Sequence, residues 1–283
     1  MTTYFVYDVF TDKPFGGNQL AVFPDASGLP EDRLQDIAAE FNFSEVTFVT
    51  PPNDPANTAR VRIFTPTSEI PFAGHPTIGT AIALRDLGHR GDMVLELGVG
   101  PIPCTFDGDM ASFRTDVPLQ ILAKPDVGLV ARCLGLAPAQ IVVDNHPPMQ
   151  ATLGLPFVIV ELVDRDALAQ CLAQVDALRE GAALHPAGMD FAIFAYVKSG
   201  SDIDARMFAP LDNIPEDPAT GSACATLAAL LCDLHGAPQT LAIRQGEDMG
   251  RLSRIQAASD ATGVTISGQA YQTMKGELVA FRP

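Results

Sequence analysis

The chain has 283 residues, of which 47% are hydrophobic and 18% charged, an ordinary globular composition with room for one large domain or two medium ones. Its formal net charge of −16 repels nucleic acid and anionic membrane surfaces, so neither is an expected partner, while an anionic substrate is still allowed because a site responds to local charge. The 5 cysteines (Cys104, Cys133, Cys171, Cys224 and Cys232) are scattered and odd in number, with no Cys-x-x-Cys. Free thiols in a reducing compartment are expected, hence a cytoplasmic protein.

In chain order, MTTYFVYDVF begins directly with strand-like sequence and lacks a basic leader and cleavage site, so no signal peptide is expected. No apolar run reaches the roughly 18 residues that span a bilayer. The segments 4–10 and 19–23 read as strands joined by the turn-rich TDKPFGGN. Residues 31–41 place Leu34, Ile37, Ala38 and Phe41 on one helical face. Strands follow at 42–50 and 59–64, then a helix from GHPTIGT to about Gly88. The second half repeats the order: strand 155–163, helix 166–180, strands 191–197 and 204–208, and the helix DPATGSACATLAALL. The Pro-rich stretch near 118–150 is the boundary expected between a half at 1–117 and a half at 118–283, with a return of the last strand to the first half left open.

The two halves align. Phe64, Pro66, Ile70 and Pro71 match Phe208, Pro210, Ile214 and Pro215 at an offset of 144; after a gap of two, Pro76, Gly79, Thr80 and Ala81 match Pro218, Gly221, Ser222 and Ala223 at 142. On this register His75 lies opposite Asp217. A chance coincidence of Gly and Pro is the alternative, but the repeated order of elements favours a duplication. The helices after His75 and Asp217 are apolar on nearly every side, so each must be surrounded by protein. The expected fold is therefore α+β: two pseudo-symmetric domains, each a curved mixed sheet or barrel wrapped around a central apolar helix, with the site where the halves meet.

His75 and Asp217 each precede a helix-opening proline, which puts both at about the N-cap, where free N–H groups and the helix dipole favour an anion. An N-cap carboxylate would suffice to explain Asp217, and an ordinary satisfied histidine would explain His75; their opposition across the duplication points to acid/base chemistry. Glu45, in NFSEVTF, is either a solvent-facing edge residue or a partly buried carboxylate of raised pKa fit to be a general base. Ser222 can donate to a substrate or simply satisfy the helix start. Gly16, Gly17 and Asn18 form a turn or bring N–H groups to a carboxylate; Gln245-Gly246 and Gly250-Arg251 are weaker candidates of the same kind, with Arg251 able to clamp a carboxylate. There is no P-loop, no dinucleotide fingerprint and no His-Glu-x-x-His, so no nucleotide or metal chemistry is signalled.

YDVFTDKPFGGNQLAVF, NFSEVTF, IFTPTSEIPFAGHPTIGTA, FAPLDNIPEDPATGSA and RQGEDMGR together resemble the phenazine-biosynthesis-protein-like (PhzF-like) isomerases, within the diaminopimelate epimerase-like fold. The resemblance implies no metal, no organic cofactor, a homodimer and a small carboxylate substrate. It implies catalytic roles for Glu45, His75, Asp217 and Ser222; Gly17, Asn18, Gly74, Gly221, Gln245 and Gly246 are the expected substrate contacts. Gln19 departs from the family, where proline is common. The expected activity is a cofactor-independent isomerase that moves a proton on an unsaturated carboxylate. Against it stand an amino-acid racemase or epimerase, thiol-independent or using two cysteines, and a catalytically silent metabolite-binding homologue. Cys224 has Ile82 as its repeat mate, so a thiol pair is missing. The intact set of four catalytic candidates speaks against a silent homologue.

Overall fold

In the computed structural model, which describes residues 1–187 and 191–280, the chain forms two compact units: residues 1–115 with 265–283, and residues 116–264.

Unit 1 begins with β1 (Thr2–Val9) antiparallel to β2 (Asn18–Phe23). Helix α1 (Leu34–Phe41) crosses to β3 (Glu45–Thr50), which pairs parallel with β2. β4 (Ala59–Phe64) runs antiparallel to β3 and takes the two-residue β5 (Glu69–Ile70) on one end. After helix α2 (Gly74–Asp86), β6 (Met93–Leu97) pairs parallel with β4, and β7 (Gly100–Asp107) and β8 (Met110–Thr115) continue antiparallel.

Unit 2 repeats this plan. It opens with β9 (Gln120–Ala123), followed by α3 (Val127–Leu134). β10 (Met149–Thr152) is antiparallel to both β9 and β11 (Pro156–Glu161). Helices α4 (Arg165–Gln170) and α5 (Val175–Leu184) lead to β12 (Ile193–Ser199), parallel to β11. β13 (Asp202–Ala209) is antiparallel to β12 and carries β14 (Ile214–Asp217). Helix α6 (Gly221–His235) precedes β15 (Gln239–Gln245), parallel to β13 and antiparallel to β16 (Ser253–Asp260). β17 (Gly263–Gly268) crosses the boundary, and β18 (Ala270–Leu278) lies in unit 1, antiparallel to β1.

The parallel and antiparallel pairings recur in the same order in both units, and this repetition bears out the α+β duplication. α2 is buried from Gly74 to Leu84 and packs against β1, β2, β3, β6, β8 and β18; α6 packs against β10, β11, β15 and β16. A helix with no polar face is stable only when strands surround it. In unit 1 a second core layer holds Phe23, Phe48 and Phe64 under α1, with Phe23 and Phe48 stacked at 5.1 Å. In unit 2 the corresponding layer joins α3, α4 and α5 to the sheet through Leu134, Leu168, Leu178 and Phe191.

One expected element is corrected. The helix read over 166–180 is two helices, because the chain turns extended at Cys171 (φ −55°, ψ 127°). There Leu172 N–H and Gln174 N–H donate to the carbonyls of Leu134 and Cys133. The buried guanidinium of Arg206 takes the carbonyls of Leu168, Ala169 and Cys171 at 3.0, 3.2 and 3.1 Å. These partners replace the bonds a continuous helix would make.

Candidate active site

In unit 1 the turn TDKPFGGN is held by buried Asp8, whose Oδ2 accepts from Phe15 N–H at 2.7 Å. Phe15 and Gly17 both have positive φ (66° and 59°). A Cβ on Gly17 would collide with the carbonyl oxygen of Val9, so glycine there is a requirement of the backbone. Asn18 is buried at the first position of β2, and Ser44 Oγ lies 3.4 Å from its Oδ1. Gln19 follows. Parallel pairing of β2 with β3 sets Leu20 opposite Glu45.

Glu45 therefore stands at the start of β3, its side chain only 13% exposed, with Oε2 3.2 Å from Nδ1 of His75, which is 4% exposed. The partly buried reading of Glu45 holds over the edge reading. Burial pushes the His75 imidazole down to about 3, and a contact with the Gln19 backbone, which favours the charged ring, does not offset it. The Glu45–His75 contact is thus a close approach of a carboxyl group to a neutral ring, not an ion pair. The other ring nitrogen, Nε2, is buried without a hydrogen-bond partner.

The N-cap expectation is corrected in both units. The N-cap of α2 is Ala73, so His75 lies inside the first turn and Gly74 opens the helix. The N-cap of α6 is Thr220, and Asp217 closes β14 three residues earlier. Neither helix has a side-chain cap, whereas α3 and α4 are capped by Asp126 and Asp164. The first-turn N–H groups of α2 and α6 are therefore not consumed by a capping side chain.

In unit 2, Asp217 is buried and accepts from Thr220 Oγ1 at 2.5 Å. Gln245 is 1% exposed. Its amide donates to the Asp217 carbonyl (2.7 Å) and to Thr220 Oγ1 (2.9 Å), and accepts from Thr220 N–H (3.1 Å). Gly246 (φ +76°) packs on the same turn, where a Cβ would stand 2.7 Å from the Pro218 carbonyl oxygen. Gly221 opens α6, and half-buried Ser222 follows it. Arg251 closes the Gly246 turn, its N–H donating to the Gly246 carbonyl. Cys224 is buried one turn into α6, and burial pushes its thiol far up. Among the described residues no group of three or more His, Cys, Asp or Glu could hold a metal, and no helix is long and apolar enough to cross a membrane.

Within unit 1 the structure thus brings together Glu45, His75 and the Gln19 backbone, and within unit 2 Asp217, Thr220, Gln245 and Gly246. A family model described as phenazine biosynthesis-like protein (PhzC-PhzF) matches residues 7–276. The chain belongs to that family. It is 37% identical to an uncharacterized isomerase of Mesorhizobium japonicum, over 97% of this chain and 98% of that protein. It is 34% identical to a trans-2,3-dihydro-3-hydroxyanthranilate isomerase of Pseudomonas aeruginosa, over 94% of each. A Bacillus anthracis phenazine biosynthesis protein of the PhzF family has the same fold, with a TM-score of 0.87 at 24% identity over 98% of this chain and 99% of that one. This PhzC-PhzF protein is an isomerase.

Sequence reasoning passed over Thr220, although DPATGSA offered the signal: a hydroxyl directly before a helix-opening glycine. It also gave the Gln19 backbone no role. That contact follows from β2 lying beside the start of α2, which only the packing reveals.

Proposed function

We propose that this isomerase works without a cofactor, moving a proton between carbons of a small unsaturated carboxylate by acid/base catalysis. The observation that carries the reading is the Glu45–His75 pair, 3.2 Å apart and largely buried. A neutral imidazole leaves Glu45 a stronger base than an imidazolium at that distance would. Glu45 takes a proton from carbon, the C–H electron pair moves into the conjugated system, and the resulting negative charge is met by helix N–H groups and Ser222. Glu45, now protonated, returns the proton to a different carbon, so one C–H bond breaks, another forms, and no oxidant is needed. The His75 ring, held by the Gln19 backbone, keeps an uncharged neighbour beside the carboxyl group in either form. Asp217 and Ser222 act in the same reaction. The name of the Pseudomonas aeruginosa relative supports a cyclic dihydro-hydroxyanthranilate as the first substrate to try. A cytoplasmic homodimer completes the reading.

Buried Cys224, with its thiol far from ionising, offers no base for a two-thiol racemase. The test is proton NMR in D2O with trans-2,3-dihydro-3-hydroxyanthranilate and a panel of cyclic and conjugated carboxylates. Deuterium entering carbon with wild type and not with Glu45→Gln supports the proposal. Exchange that survives Glu45→Gln removes Glu45 as the base.

A further inference from the structure

We propose that Thr220 and Gln245 are positioning residues for Asp217: a buried relay that holds Asp217 Oδ2 as a hydrogen-bond acceptor and withholds the Thr220 hydroxyl from the start of α6. The kinetic consequence rests on the reading that Asp217 acts in the isomerisation; the relay itself does not.

Its direction follows from counting donors. Thr220 N–H is only a donor, so the Gln245 atom facing it at 3.1 Å is the carbonyl oxygen Oε1. The amide nitrogen Nε2 then faces the Asp217 carbonyl at 2.7 Å, which can only accept, and this arrangement fits one orientation of the amide. The second Nε2 proton points to Thr220 Oγ1 at 2.9 Å. Thr220 Oγ1 is thereby an acceptor from Gln245, and its single proton goes to Asp217 Oδ2 at 2.5 Å. A hydroxyl aimed at a carboxylate favours the ionised form. The three residues are 8%, 1% and 5% exposed for Thr220, Gln245 and Asp217, so water does not substitute for a lost partner.

Threonine at an N-cap ordinarily accepts from the second or third N–H of its helix. Thr220 makes no such bond. Two effects follow from the one hydroxyl: Asp217 is kept ionised, and the first turn of α6 keeps its N–H groups for an anionic partner. Gln245 enforces both without itself having to touch substrate.

The test uses full-length protein labelled with carboxyl-13C aspartate, the Asp217 resonance being assigned by its loss in Asp217→Asn. Thr220→Val removes the hydroxyl at constant shape. The expected result is an upward move of the Asp217 titration midpoint by about one to two pH units, restored close to wild type in Thr220→Ser. Gln245→Leu, which frees the hydroxyl to turn away, moves it in the same direction by less and carries the test if Thr220→Val fails to fold. A purely structural role would lower the melting temperature and leave the midpoint in place. An unmoved midpoint in Thr220→Val, or one that moves as far in Thr220→Ser, overturns the proposal. With trans-2,3-dihydro-3-hydroxyanthranilate as probe, Thr220→Val lowers kcat in wild type and has no further effect in Asp217→Asn. If the midpoint moves while Asp217→Asn turns over normally, the relay stands and the catalytic role of Asp217 falls; if Asp217→Asn is inactive and the midpoint is fixed, the relay falls alone.

Discussion

The starts of α2 and α6 differ although the sequences around them align. Gly221, the first residue of α6, matches Gly79, yet α2 begins at Gly74, five residues earlier in the common register (79 against 74). In unit 1 the Ala73 carbonyl accepts from both Thr77 N–H (3.3 Å) and Thr77 Oγ1 (2.8 Å), so the helix closes at once. In unit 2 the carbonyls of Asp217 and Pro218 are taken by Gln245 Nε2 and Ser253 Oγ, both at 2.7 Å. Side chains from β15 and β16 compete with the helix for the same backbone groups and win. One ancestral turn has thus become a helical His75 against Glu45 in one unit and a strand-end Asp217 against Thr220 in the other. A few residues away the duplication stayed conservative. Arg62 lies over Phe64 and clamps Glu69 with two bonds of 2.7 Å; Arg206 lies over Phe208 and clamps Glu216 with two of 2.8 Å. The hinge of each strand pair was kept, and the chemistry-bearing turn diverged.

The largest effects should fall where the units differ. Glu45→Gln keeps the shape and removes the proposed base, so kcat should fall by about 10²–10⁴-fold, read in the same exchange assay, with little change in melting temperature. A loss of less than tenfold would say that unit 1 does not hold the base. Next comes Arg206→Met. It strands Glu216, whose side chain is 17% exposed, and removes the donor from three carbonyls at the end of α4. A cost of about 3–5 kcal/mol is expected in urea unfolding.

How much of this was legible depended on where the determining atoms lie in the chain. The duplication, the two apolar helices and the strand order come from local periodicity and were readable. The gathering of Glu45 with His75 was readable only as motif resemblance, because β3 and α2 are brought side by side by tertiary packing around β2 and not by any local pattern. The helix starts were misread because proline's preference for the first turn is a local rule, while Gln245 and Ser253, the residues that displace α6, lie 25 or more positions downstream of the turn they hold. The break at Cys171 was invisible for the same reason: its cause, Arg206, is 35 residues away.

A third effect separates His75 from Asp217 by pH. The folded protein holds the His75 ring neutral, at about 3 against 6.5 for a free ring. A depressed histidine binds its proton more readily in the unfolded chain. Its contribution is therefore complete above pH 6.5 and lost as the pH falls toward 3. Between pH 7 and pH 4.5 the wild type should lose about 2–3 kcal/mol that His75→Asn does not lose, measured from their urea unfolding curves. Parallel pH slopes for the two proteins would mean that the ring titrates as it does in the unfolded chain, and a wild type that gains relative stability as the pH falls would mean that the ring is charged against Glu45.

The smallest effect sharpens the conserved half of the comparison. Arg62 and Arg206 make the same bidentate bond and the same ring contact, but Arg62 is 20% exposed and its partners Glu69 and Glu31 are 42% and 85% exposed. Water and salt compensate much of what is lost there, so Arg62→Met should cost about 1 kcal/mol, falling further in 0.5 M NaCl, whereas the Arg206→Met cost should hardly respond to salt. The contrast isolates what unit 2 added. Arg206 alone reaches carbonyls set free by the interruption after α4, so the guanidinium and the broken helix stabilise each other. If the two substitutions cost the same, the carbonyls contribute little, and the interruption at Cys171 must be credited to the bonds that Leu172 and Gln174 make with α3.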